Sequence, residues 1–376
     1  MKVNPAESER GEGGSALMST SFVVLLLSLL LGLQPVTTDL YLPALPTMTE
    51  VLAGSMSQAQ LTLSGLLLAF GLSQLLWGPL SDRFGRRPVL LLGLGSYTLA
   101  GIGCVIAPNM EVMLLLRIIQ GAAMGAVVMC GRALVRDLYS PEIGARTISK
   151  GLSGLGVIAI ISLPLGGQLA QFFGWRITLG ALVLFGGVTL YITARHFVET
   201  LHSPNPDALQ PLALLRTWKE ILCNRSFQGF ALLGMTSYGG LFTMLAASSF
   251  VFINILGETK ASYGAYMLTP GVAYLFGTVV CRRLLHRFGV HRTVAIGGAC
   301  SAVGGSLVGL VGLAEIHNVW AILVPFYLYM IGHGINQPCS QAGAVGPFPH
   351  AAGAASAWSG CLMMLSAFGM GIWLGQ

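Results

Sequence analysis

Charge is scarce in this sequence. Only 9% of its 376 residues are Asp, Glu, Lys or Arg, against roughly 25% in a soluble domain. So few charges cannot clothe the water-facing surface of a body this large. With 54% hydrophobic residues and a mean hydropathy of +0.74, most of the chain must have lipid as its solvent. Other absences narrow the chemistry. There is no Gly-x-x-x-x-Gly-Lys-Ser/Thr loop, so direct drive by ATP is not expected. None of the cysteines (Cys104, Cys130, Cys223, Cys281, Cys300, Cys339, Cys361) forms a Cys-x-x-Cys pair, and no Cys/His cluster suggests a metal. They read as small buried hydrophobes, and no cofactor is expected. The net charge of +6 does not point to nucleic acid, because the basic residues fall in short gaps between apolar runs, nearly all on one side.

The apolar runs are what is there. About 20 apolar residues cross a bilayer as a helix, and runs of that kind lie near 19–42, 59–80, 88–107, 112–134, 150–172, 175–194, 227–252, 263–281, 293–314, 320–338 and 354–376. This predicts an all-α membrane protein with about eleven spans. If the N-terminal tail (1–18) is cytoplasmic, all but three of the 20 Lys and Arg fall in inner segments. Arg176 and Lys260 lie outside and Arg117 lies within a span. That asymmetry places the N-terminus in the cytoplasm. The run from Ser19 is too long for a signal-peptide core.

The longest polar gap divides the chain into a six-span bundle (19–194), a linker (195–226) and a second bundle of about five spans (227–376). The linker contains a helix stopper, Ser203-Pro204-Asn205-Pro206. After it, 211–222 has helical apolar spacing, which predicts a short helix on the inner membrane surface. The bundles echo each other. Leu80-Ser81-Asp82-Arg83-Phe84-Gly85 follows the second span and Leu284-Leu285-His286-Arg287-Phe288-Gly289 the eighth. The same motif at the same place in each half points to a duplicated bundle.

Several segments resemble a known family. Gly78-Pro79-Leu80-Ser81-Asp82-Arg83-Phe84-Gly85-Arg86-Arg87-Pro88 resembles the loop signature of the major facilitator superfamily. Leu116-Arg117-Ile118-Ile119-Gln120-Gly121 resembles the fourth-span motif of its proton-coupled drug exporters. Pro164-Leu165-Gly166-Gly167 is similar to the end of its antiporter motif, with Leu163 where the usual glycine stands. Thr38-Asp39-Leu40-Tyr41-Leu42-Pro43-Ala44-Leu45-Pro46 and Phe348-Pro349-His350-Ala351-Ala352-Gly353 resemble the Bcr/CflA drug-resistance subgroup. The resemblance implies two pseudo-symmetric six-helix bundles in a bacterial inner membrane. It implies a monomer that exchanges protons for small amphipathic molecules by alternating access, not an enzyme. A metabolite transporter of the same fold is an open alternative. An intramembrane enzyme is a remote one, since the Gly151-Leu152-Ser153-Gly154 segment lacks a placed His partner. The family has twelve spans, so a last span is expected to be missing and the eleventh to pack poorly.

Asp39 is the only acid within the apolar body of a span, and a buried carboxylate is costly unless protonated or paired. It is the expected proton site. Arg117 is its expected partner, at a matching depth of about six residues from the outer end. A carboxylate balanced between burial and a fixed cation can be switched by solvent or by substrate. The resemblance implies a conformational latch at Gly78, Asp82, Arg83, Gly85, Arg86, Arg87, Arg136 and Asp137. Asp82 is expected to cap the helix that follows Pro349. Pro164 should kink the fifth span, and Gly121, Gly125, Gly166 and Gly167 should allow close packing. Candidate substrate contacts are Tyr41, Gln74, Met235, Tyr238, Phe242, Asn254, Tyr266, His333, Asn336 and Gln337.

Overall fold

The computed structural model describes residues 18–139, 141–201, 208–348 and 351–375. Apolar runs between polar caps make its helices. Ser19 opens α1 (Thr20–Asp39) by accepting the Phe22 N–H, and Asn109 opens α5 (Met110–Leu138) by accepting that of Val112. α3 (Met56–Phe84) starts with a capping box between Ser55 and Gln58. α1 stops at Asp39 because Pro43 and Pro46 lie just ahead. Each proline begins a new short element, a 3₁₀ turn (Leu42–Ala44) and α2 (Leu45–Val51). Then come α4 (Arg86–Val105), α6 (Pro141–Phe172), α7 (Gly174–His196), α8 (Pro211–Cys223) and α9 (Arg225–Phe250), which runs into a π turn. α10 (Lys260–Leu313), α11 (Val319–Val345) and α12 (Ala352–Leu374) complete the chain.

Ten helical segments among the described residues are long and apolar enough to cross a membrane. One of them, α10, joins two expected spans. Its 54 residues would make a rod of about 80 Å, far longer than a bilayer is thick. Gly289, with φ 71°, breaks it in two. Gly85, with φ 100°, makes the corresponding turn between α3 and α4. Both repeats of the Leu-x-x-Arg-Phe-Gly segment therefore end on a glycine in a conformation that other residues rarely adopt. The eleven spans read from the sequence are accounted for, six before α8 and five after it.

Within the first half α5 packs on α3 and α4, and α1 on α6. The close approach expected at Gly121 and Gly125 is present, against the Leu66 backbone and against Ser73. α6 is continuous through Pro164. The halves meet where α12 packs on α3 and α10 on α6. Leu99, Ile106 and Leu184 are about 70% exposed and face outward, where lipid is their solvent.

Two expectations are corrected. The last helix does not pack poorly. α12 buries Ala355, Cys361, Met363, Met364 and Ala367, chiefly against α3 and α9, because α3 crosses over from the first half to receive it. The cysteines are free, but they are not all buried. Cys223 is exposed at the end of α8 and Cys300 is half-buried. α8 is the expected linker helix, with Ile221 buried, Trp218 edge-on to Trp358, and Leu212 and Leu215 exposed. The predicted stopper at 203–206 lies outside the described residues.

Candidate functional site

Asp39 is half-buried and lines a central cavity of about 650 Å³. Its Oδ1 accepts a hydrogen bond from Thr38 Oγ1 at 2.7 Å. Tyr238, bonded to Gln34, and Tyr263 lie within electrostatic range of it. Arg117 is at the expected depth but does not pair with it. The guanidinium is buried, donates to Thr37 O at 3.0 Å and to Gln120 Oε1 at 2.8 Å, and lies 4.0 Å over the Tyr41 ring. The reason is helical geometry. Thr37 and Tyr41 are four residues apart and share one side of the end of α1, whereas Asp39 falls between them on the other side. Arg117 braces the back of α1 while Asp39 faces the cavity, with no ion-pair partner among the described residues.

The cavity is apolar along most of its wall, with Leu63, Leu67, Phe70, Phe242, Leu245 and Met363 among its lining residues. A second cavity of about 610 Å³ shares Gln74, Arg132 and Ser356 with it and continues to Asp82 and Arg136 at the basic end. At the opposite end the halves are closed together. Gln60 Nε2 donates to Ala246 O at 2.9 Å, and a Cβ on Gly264 would lie 2.7 Å from Leu163 O. Gly167 meets the Lys260 backbone and Gly166 that of Leu40. The shape is therefore open toward the basic end.

Of the expected substrate contacts, Gln74, Tyr238, Phe242 and Gln337 line the central cavity. The others do not. Tyr41 is covered by Arg117. Met235 uses its carbonyl to accept from Ser366, and Asn254 is exposed in the π turn. Tyr266 packs on Phe252 and Trp320. His333 is buried behind the wall, its Nδ1 2.8 Å from Ser237 Oγ, and Asn336 is buried against Gly297. On α11 Gln337 faces the cavity, so a residue four positions earlier need not do so once Tyr274 intervenes. Tyr274 bonds Gln337 and stacks obliquely on His333.

The basic-end cluster is built around Arg86. Its guanidinium is buried and reaches Asp82 at 2.6 Å, Asp137 at 2.9 Å and Ser81 Oγ at 2.6 Å. Arg136 approaches Asp82 at 4.0 Å and Asp137 at 3.9 Å. These contacts stay within the first half. Asp82 does not cap α12, whose start at Ala351 has no side-chain cap, because Arg86 one turn away takes the carboxylate instead. Arg136 reaches α12 beside Gly353. Arg83 lies exposed over Phe84. Arg87 donates to Phe197 O and Ala194 O at the end of α7. Pro349 and His350 lie outside the described residues. Gly78 lines the second cavity.

Two features escape a reading of the sequence. The first is Glu199, just beyond α7. Its carboxylate accepts the N–H groups of Arg86 and Arg87 at the start of α4, and those of Thr200 and Leu201. Burial pushes this carboxyl up, but the four N–H groups outweigh that and hold it below its usual value. Such a group stabilises the fold fully above its unfolded pKa near 4.5, and the contribution is lost as pH falls through the lower folded value. Glu199→Gln should lower the thermal unfolding temperature of the purified protein at pH 7, with the deficit shrinking below pH 4.5. An equal deficit at all pH values would contradict this. The second feature is Arg132. The sequence places it among the orienting inner charges, yet its side chain lines both cavities. The available signal is its spacing, four residues before Arg136 on the same face of α5.

The family model described as Major Facilitator Superfamily matches residues 19–371. Multidrug resistance protein D of Escherichia coli (strain K12) is 30% identical over 90% of this chain and 85% of its own length. The chloramphenicol resistance protein of Pseudomonas aeruginosa is 30% identical over 92% of this chain and 81% of its own. The crystal structure of a D-xylose-proton symporter has a TM-score of 0.73 at 17% identity, over 94% of this chain and 89% of that one. At that identity the likeness concerns the fold.

Proposed function

We propose, because this chain belongs to the Major Facilitator Superfamily, that it exports small amphipathic molecules in exchange for protons across a bacterial inner membrane. It is a multi-pass transporter by family and fold. What supports the finer reading is the position of Asp39, a carboxyl facing a largely apolar cavity with no ion-pair partner among the described residues. A carboxyl so placed is the cavity's natural proton carrier. The resistance names of the relatives support amphipathic drugs as cargo.

In this reading the basic end faces the cytoplasm. A molecule enters from there past Arg136 and Gln74 and settles against the apolar wall. Asp39 gives up its proton as the cargo arrives and regains one after the halves rock and the cavity opens outward. Exchange requires that proton and cargo oppose each other's binding. The bracing of α1 by Arg117 keeps the carboxyl aimed at the cavity through this cycle. Asp82, Arg86, Arg136 and Asp137 form the latch at the cytoplasmic side, with Arg136 as the group that meets the second half at Gly353.

The test uses inside-out membrane vesicles holding an imposed proton gradient. Chloramphenicol and other small amphipathic compounds are added and lumenal pH is followed with a dye. Compound-dependent proton release is expected. Cargo uptake that proceeds at the same rate after the gradient is collapsed would contradict proton coupling.

A further inference from the structure

The charges lining the central cavity are unequal. Among its described lining residues are one acid, Asp39, and two arginines, Arg132 and Arg282. Both arginines are exposed to the cavity. Neither has a hydrogen bond or ion pair with any described residue. In this they differ from the other cations near the site. Arg117 is bonded to Thr37 O, Arg86 to two carboxylates, and Arg87 to two carbonyls.

The two arginines come from different halves and lie at similar depth. Arg132 is six residues before the end of α5, and Arg282 is seven before the break at Gly289. Each is therefore about 10 Å in from the basic end. Both helices run toward that end, so their side chains lean back into the cavity. Asp39 is far from them. Arg117 marks its depth, and Arg132 lies fifteen residues further along the same helix, about 22 Å away along the axis. Asp39 cannot neutralise the pair. Two like charges facing one cavity repel, and an anion bound between them relieves that repulsion. The guanidinium fork fits a carboxylate in two-point fashion.

We propose that Arg132 and Arg282 together hold the anionic group of a carboxylate-bearing amphipathic substrate at the basic end of the cavity. The substrate's apolar body lies along Leu63, Leu67 and Phe242, toward Asp39. This rests on the transport reading above and adds a substrate class to it. An anion held about 22 Å from Asp39 forms no ion pair with that carboxyl, so Asp39 keeps its own proton exchange with water while the apolar body of the molecule lies beside it.

The experiment measures binding, not transport. The full chain is reconstituted in phosphatidylcholine nanodiscs and titrated with dansylglycine and with dansylglycinamide, in which a neutral carboxamide of nearly the same shape replaces the carboxylate. The wild type should bind the acid at least tenfold more tightly than the amide. In the Arg132→Gln/Arg282→Gln double variant the ratio should fall to about one, with amide affinity unchanged, which also shows that the variant folds. Arg282→Gln alone, the fallback if the double variant does not fold, should cut the ratio at least threefold. A ratio near one in the wild type, a ratio that survives the substitutions, or no binding of either compound would overturn the proposal. So would loss of acid binding, but not amide binding, when phosphatidylglycerol is added to the discs, since that assigns the pair to a lipid headgroup. Proton release in the vesicle assay together with a ratio of one would sink the anion site alone. A tenfold ratio without proton release would sink proton coupling and leave the site standing.

Discussion

Replacing Asp39 by Asn should abolish gradient-driven transport, lowering it at least a hundredfold, with little change in folding. Asn has the same shape, and its Oδ1 can still accept the Thr38 hydroxyl that bonds Asp39 at 2.7 Å. No ion pair is broken, since Asp39 has none among the described residues. Arg117 keeps its bonds to Thr37 O and Gln120. What is removed is the one carboxyl lining the cavity among the described residues. A hundredfold loss corresponds to about 2.7 kcal/mol of barrier, a modest demand on a group that carries the coupling itself. The vesicle assay reads this directly, because compound-dependent proton release should vanish in Asp39→Asn. Cargo binding in nanodiscs should persist, and thermal unfolding should be within a few degrees of wild type. Undiminished release would remove Asp39 from the mechanism. Loss of release together with loss of folding would point to a structural role instead.

Asp39 stands out in the sequence for a simple physical reason. A single acid in an apolar run is conspicuous wherever the side chain points. The helices are legible for the same kind of reason, since the bilayer fixes their length and polar caps mark their ends. Even the break in α10 is announced by Gly289 and its echo at Gly85. Side-chain direction is harder. Depth along a helix follows from residue number, so Arg117 is correctly set level with Asp39. Facing requires knowing which side of α1 meets α5, and a shift of two residues reverses it. The same limit hides Arg132. Its position says which end of the membrane it occupies, but not that it turns inward to a cavity while Arg83, also at the basic end, turns out. Glu199 is invisible for a different reason. Its partners are backbone N–H groups of Arg86 and Arg87 more than a hundred residues away, and backbone groups leave no mark in a sequence.

Gly166→Ala should destabilise the protein by about 1–3 kcal/mol and reduce transport at least tenfold. Intrinsic helix propensity predicts the opposite sign, since Ala is favoured over Gly by about 1 kcal/mol inside a helix. Tertiary packing decides. A Cβ on Gly166 would overlap the carbonyl oxygen of Leu40, and it would lie 3.0 Å from the Leu40 Cα. The obstacle is backbone, so no side chain can swing aside, and α6 or the end of α1 must move. Leu40 follows Asp39 directly, so the displacement is delivered to the carboxyl that faces the cavity. The neighbouring Gly167 against Lys260 and Gly264 against Leu163 have no slack to absorb it, because they hold the two halves together at the same end. Gly156 supplies the control. It lies on the same helix, and a Cβ there would meet nothing within 4 Å. Gly156→Ala should unfold at or slightly above the wild-type temperature and transport normally. If both variants unfold and transport alike, the approach of α6 to the Leu40 backbone is not what holds Asp39 in place.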